Sequence, residues 1–322
     1  MRATRYRSLA AATATAIAAF GLTSPANAQF AGREDPMPVT APKLSESYWS
    51  AKPTKATPYT APNKVHWKLV DILAAHRGKS DWVQPIVRNP EQDADYISLG
   101  VGKKTKRRMY ADDRVVWVVQ DGAMRVSIDG VEPFVATKGF MVNVPFRHFY
   151  SIETVGDTPS LRFEVRQAGS PPLYPANEVP DALPGRTYVK VTGSPGPSKD
   201  RDTNPIYVDF WKQIASSDKP YNGKFVWDDH FTSNILRMKA QPIAPASNRG
   251  HFHGDWTEFW FVMEGRIGYQ IEGYPYFEAS QGDIVTALKG RWHRPSAAPG
   301  APISTRIPFN PRPVILHNFA TD

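Results

Sequence analysis

Four residues have the types and spacing to do chemistry together: His251, His253, Glu258 and His293. One residue separates the first two. In an extended strand alternate side chains share a face, so both imidazoles point the same way, about 6–7 Å apart along the backbone. Converging imidazoles can hold one cation. Glu258 arrives on the next piece of strand, after Gly254-Asp255, and adds a hard anionic ligand. His293 follows the turn glycine Gly290 and closes the set. Three neutral nitrogens and a carboxylate suit one divalent transition metal, with Fe, Mn, Ni, Zn and Cu all compatible. Glu258 is also the candidate catalytic group, either as a ligand or as a mobile base.

The neighbourhood of these residues is aromatic. With Glu258 facing inward, the strand period puts Trp260 and Val262 on the same side and Phe259 and Phe261 on the other. On the following strand Ile267, Tyr269 and Ile271 alternate as an interior set. Trp260, Val262, Tyr269, Arg291 and Trp292 form the candidate substrate pocket, an apolar space with a few polar handles of the kind that takes a small organic molecule. Arg249, Arg291 and Arg294 flank the ligands, and the planar guanidinium fork suits a carboxylate or phenolate.

The elements that must carry this set occur twice. Val115-Val116-Trp117-Val118-Val119-Gln120-Asp121-Gly122 reads as an apolar strand ending in glycine, as does Glu258-Phe259-Trp260-Phe261-Val262-Met263-Glu264-Gly265. Gly122 to Gly265 and Gly139 to Gly282 are both 143 residues apart, which favours duplication. Asn63 and Asn204 each precede a short helical pattern and are expected to cap it. Short strands with glycine turns predict an all-β chain of two tandem antiparallel barrels with a few short helices. The expected units are 64–170 and 204–322, joined by a Pro-rich linker at 171–203. In the first unit Arg108, Tyr110 and Val115 occupy the positions of His251, His253 and Glu258, so no metal is expected there. His148 resembles the fourth ligand but is expected to be structural.

At this point the sequence resembles a known family. Gly250…His251-x-His253-x4-Glu258-x6-Gly265 is similar to the first cupin motif, and Gly282-x5-Leu288-x-Gly290-x2-His293 to the second, with Leu288 where the family usually has proline. The resemblance implies a two-barrel cupin, or bicupin, of jelly-roll type, with metal bound by the C-terminal barrel alone. Bicupins include oxidases, decarboxylases, isomerases and seed storage proteins. The resemblance therefore implies three alternative functions. The first is a metal-dependent, dioxygenase-like oxidoreductase acting on a small organic, aromatic or acidic substrate. The second is a redox-neutral isomerase, decarboxylase or lyase acting on a sugar acid or keto acid. The third is a non-catalytic binding or storage module with a structural metal. The retained ligand set leans the reading to an enzyme.

The remaining features limit the setting. Arg2, Arg5 and Arg7, the apolar run Leu9 to Leu22 and Ala26-Asn27-Ala28 read as a signal peptide over 1–28 cut near Ala28, which implies a periplasmic or secreted protein. A Pro-rich extended leader follows over 29–63. There is no cysteine, so packing rather than disulfides must supply stability. Removing the three signal-peptide arginines lowers the formal charge from +8 to +5, which is no nucleic-acid signature. Lys103-Lys104-Thr105-Lys106-Arg107-Arg108 is expected to be a solvated face. The expected partner is a small-molecule substrate, with no nucleic acid and no integral membrane segment, and analogy with other cupins adds a homo-oligomer.

Overall fold

The computed structural model describes residues 48–180, 182–193, 203–239, 248–311 and 317–320. The expected signal peptide and the leader as far as residue 47 lie outside the described residues, as does part of the 171–203 segment.

The described residues from Ser50 onward form one compact unit. Its strands are β1 (His66–Trp67), β2 (Trp82–Arg88), β3 (Gln92–Leu99), β4 (Val115–Asp121), β5 (Ala123–Ile128), β6 (Phe134–Thr137), β7 (Phe140–Val144), β8 (Tyr150–Val155) and β9 (Ser160–Gln167). They continue with β10 (Tyr207–Asp209), β11 (Tyr221–Trp227), β12 (Thr232–Lys239), β13 (Glu258–Glu264), β14 (Arg266–Ile271), β15 (Phe277–Ser280), β16 (Ile284–Ala287), β17 (His293–Ala297) and β18 (Ile303–Asn310). Two short helices complete the set among the described residues, α1 (Leu69–Ala75) and α2 (Phe210–Gln213).

The duplication is legible in the topology. One sheet runs β10-β7-β4-β9-β3-β2 and faces β6-β5-β8; the other runs β1-β16-β13-β18-β12-β11 and faces β15-β14-β17. Each pair of antiparallel sheets makes a jelly-roll barrel. The barrels also exchange their leading strands: β1 pairs with β16 of the second barrel, and β10 with β7 of the first.

Alternation along β13 serves both sides of its sheet. Trp260 and Val262 enter the C-terminal barrel with Ile267, Tyr269 and Ile271, as the strand period requires. Phe259, Phe261 and Met263 face the other way, into a core shared with Val116, Val118 and Phe163 of the first barrel. Phe163 stands 5.8 Å from Phe261, 5.7 Å from Phe309 and 6.3 Å from Phe259. The two barrels are therefore bonded by an aromatic layer as well as by the exchanged strands.

The two asparagines do not cap helices. Lys68 precedes α1 without a side-chain cap, and Leu69 N–H donates instead to Asp283 at 2.9 Å. Asp209 caps α2 through the Lys212 N–H. Asn63 pairs with both backbone groups of Arg88 at the end of β2, at 2.9 Å each. Asn204 does the same with Trp227 at the end of β11, at 2.9 and 3.3 Å. A side chain that mimics a backbone pair suits a strand end, and its repetition is a further mark of duplication.

Candidate metal centre

His251 and His293 lie opposite each other and exchange both backbone hydrogen bonds, at 3.0 and 2.8 Å. This sets their side chains against each other, Nε2 to Nε2 at 3.1 Å. Glu258, the first residue of β13, points inward and puts Oε2 2.9 Å from His253 Nε2 and 3.2 Å from His293 Nε2. The four ligand atoms all lie within 4.8 Å of one another. Among the described residues no other group of His and acidic side chains is arranged to hold an ion.

The donor set fits a cation. His293 Nδ1 faces the Arg291 carbonyl oxygen at 3.0 Å, so the ring N–H donates there and the Nε2 lone pair turns to the centre. That lone pair faces a second imidazole nitrogen and a carboxylate, an arrangement that a cation placed between them would satisfy. Burial, joined by His293 and His317, pushes the His251 imidazole down to about 2, so the ring is neutral and brings no positive charge of its own. Burial alone would raise the Glu258 carboxyl, but the imidazoles of His253 and His293 hold it well below its ordinary range. Trp256 stacks on His253 at 4.4 Å and donates its indole N–H to Asn310 at 3.1 Å, fixing the ring from behind.

Of the expected pocket residues, Trp260, Val262 and Tyr269 line the barrel interior beside this group. Trp260 stands 5.1 Å from His293 and 5.4 Å from Tyr269, ring to ring. Arg291 is placed differently. It is buried beneath Tyr59 and Tyr274, and its fork donates to the carbonyl oxygens of Glu272 and Thr57. It clamps the leader to the barrel instead of offering a free fork, because the leader passes directly over it. Trp292 packs against Gly250, where a Cβ would meet its ring at 2.3 Å. Arg294 is held by Gln270 and Arg249 by the Ala320 carbonyl at 2.7 Å, so the three flanking arginines are structural.

Two residues near the centre escaped sequence reading. His317 brings its ring to 4.1 Å from His251 and 5.5 Å from His253. It belongs to no motif, and nothing in its spacing pointed to it. Arg306 lies on β18 opposite Val262, hence on the interior face. Its Nε and the Tyr269 hydroxyl are buried without a hydrogen-bond partner among the described residues. Burial lowers the Arg306 guanidinium, while Tyr269 and Glu258 nearby favour its charge. The signal was present: Arg306 is the only charge in Ile303–Asn310, with Ile307 and Phe309 marking the opposite face.

The first barrel corrects two further expectations. Tyr150, and not His148, occupies the place of His293: Arg108 and Tyr150 pair as His251 and His293 do. His148 turns its Nδ1 to the Phe146 carbonyl at 2.9 Å. The basic run is also not uniformly solvated. Lys103, Lys104 and Lys106 are exposed, but Arg108 turns inward and donates to the Tyr150 hydroxyl at 3.1 Å.

Fold and site together define a two-barrel cupin fold whose C-terminal barrel carries a His3Glu group able to hold a metal. No family model and no curated protein matches the sequence. Solved structures do resemble it. A cupin 2 conserved barrel domain protein from Leptotrichia buccalis matches at 12% identity and TM-score 0.51, over 80% of this chain and 99% of its own. A salicylate 1,2-dioxygenase from Pseudaminobacter salicylatoxidans matches at 12% identity and TM-score 0.57, over 81% of this chain and 86% of its own. A variant of that dioxygenase in complex with gentisate matches at 13% identity and TM-score 0.57, over 81% and 83%. At these identities the likeness is one of fold. No helix among the described residues is long and apolar enough to cross a membrane.

Proposed function

We propose that the protein is an exported, metal-dependent oxidoreductase of dioxygenase type, acting on a small acidic molecule, with hydroxylated aromatic acids as the leading class. The observation that carries the metal is the convergence of one ligand atom each from His251, His253, Glu258 and His293, all within 4.8 Å of one another. Export rests on the sequence features of residues 1–28.

The substrate class rests on what lies behind the ligands. Tyr269 and Arg306 present buried, unpartnered polar atoms in an otherwise apolar interior. An acid group would satisfy them, and the Trp260 ring would support a planar body. The substrate named in the salicylate dioxygenase structure belongs to the same chemical class. A bound redox metal would supply Lewis-acid polarisation and access to dioxygen. The chain's own parts are then clear. His251, His253, Glu258 and His293 hold the ion, the Arg291 carbonyl fixes the His293 tautomer, and Arg306 with Tyr269 orients the acid.

The test is oxygen uptake by iron-loaded protein offered salicylate, gentisate and their non-hydroxylated analogue benzoate. Consumption with the hydroxylated acids alone supports the proposal. Turnover of an acid without oxygen uptake would move the protein to redox-neutral chemistry. Binding without any turnover would leave a structural or storage role.

A further inference from the structure

The barrel without metal ligands has an interior that packing alone does not explain. Arg162, Glu164 and Arg166 lie on β9 opposite Val119, Trp117 and Val115, and so share the inward face of the sheet. Arg108 and Tyr110 join them from the segment before β4, and Tyr150 from the start of β8. Three guanidinium groups thus surround one carboxylate. Arg162 Nε donates to Glu164 at 2.8 Å, and Arg166 and Arg108 stand 3.9 and 4.0 Å from it. Arg166 is also shared with Asp95 and Asp93, which in turn meet Arg88. Four guanidinium groups therefore face three carboxylates, and one positive charge is left in excess.

Two donors inside this barrel have no partner among the described residues: Arg162 Nη1 and the Trp117 indole N–H. Both side chains are almost wholly buried, at 1% and 0% exposure. Leaving such donors unpaired is costly, and more so for a charged group. Arg108 has a single side-chain hydrogen bond among the described residues, to Tyr150. It and Arg166 reach the surface, with side chains 21% and 20% exposed, so the cluster is open to solvent at that end. Beside the donors lies an apolar wall of Val115, Val119 and Met124, with the rings of Trp117 and Tyr150 6.0 Å apart.

Placement strengthens the case. Arg108 and Tyr150 pair across the barrel mouth as His251 and His293 do, and Trp117 stands 143 residues before Trp260. Where one barrel gathers acceptors for a cation, its sister gathers donors. We propose that the N-terminal barrel is a second small-molecule site, selective for a carboxylate with an apolar or aromatic body. Its acid group would be held by Arg108, Arg162, Tyr110 and the Trp117 N–H, and its body by the Trp117–Tyr150 wall. Paired guanidinium donors favour the planar carboxylate, and the apolar wall favours an organic anion over phosphate.

The full chain is tested with 4-bromobenzoate, using calorimetry for affinity and bromine anomalous scattering from co-crystals for position. The expected result is a bromine peak in the N-terminal barrel beside Arg108. Affinity should fall about tenfold or more in Arg108→Gln, the loss expected when one charged hydrogen-bond pair is removed. The metal content of the C-terminal barrel should stay unchanged. If Arg108→Gln lowers the melting temperature, Tyr110→Phe, which removes only a hydroxyl, is read instead and should weaken binding several-fold. Absence of uptake, a bromine peak confined to the C-terminal barrel, or equal affinity in wild type and both variants would overturn the proposal. So would phosphate binding as tightly as 4-bromobenzoate, since the site would then not select an organic acid.

Discussion

Removing the metal should make the protein acid-sensitive, with His251 a separable part of the effect beside His317, which burial also holds below its ordinary value. In the metal-free native state the His251 imidazole is pushed down to about 2, first by burial and then by His293 and His317. The unfolded chain has no such surroundings, and there the ring protonates near about 6.5. Between these values the unfolded state binds a proton that the native state refuses, so stability falls as pH drops below about 6.5. The loss is about 1.4 kcal/mol at pH ~5.5 and roughly 0.2 kcal/mol at pH ~7. Glu258, held low by its imidazole neighbours, acts in the same direction only below its ordinary value of 4.5, outside this window. The assay is urea unfolding of chelator-treated wild type and His251→Gln at pH ~7 and ~5.5. Wild type should lose about 1 kcal/mol more than the variant between the two conditions. An equal loss in both proteins would refute the account of His251.

Further outcomes follow from other parts of the molecule. Glu258→Gln should weaken metal binding by more than about 100-fold, since loss of an outer-sphere partner already costs about 10–100-fold; competition against a chromophoric chelator reads this. Phe163→Ala should cost about 3–5 kcal/mol, because the ring is fully buried between the barrels and leaves a cavity. Its thermal transition should stay single while shifting down. Arg306→Met should leave stability unchanged or raised, because burial disfavours the guanidinium charge and its Nε has no hydrogen-bond partner among the described residues. It should also reduce affinity for an acidic substrate about tenfold, measured by calorimetry on the metal-loaded protein.

The ligands were legible because strand geometry is local. A two-residue period brings His251 beside His253, and the same period sorts Trp260 and Val262 from Phe259 and Phe261. The duplication was legible through glycines at constant separation. Less legible was whatever depends on distant partners. The exchange of β1 and β10 rests on strands of two and three residues, too short to carry a pattern. Asn63 and Asn204 look like caps in sequence, yet each finds a strand end about two dozen residues on. Arg291 carries no sign in sequence that the distant Thr57 carbonyl occupies its fork. His317 reaches the centre from the chain's end, and Tyr150 kept its place while changing its chemistry, so neither left a signature of residue type.

The central claim is that the C-terminal barrel binds a metal through His251, His253, Glu258 and His293, and metal analysis tests it most directly. Protein expressed with its N-terminal residues 1–28 and purified without added metal is measured beside a His251→Ala/His253→Ala control. About one transition-metal ion per chain is expected in wild type and almost none in the control. Wild type without stoichiometric metal even after reloading, or equal metal in both proteins, would contradict the account.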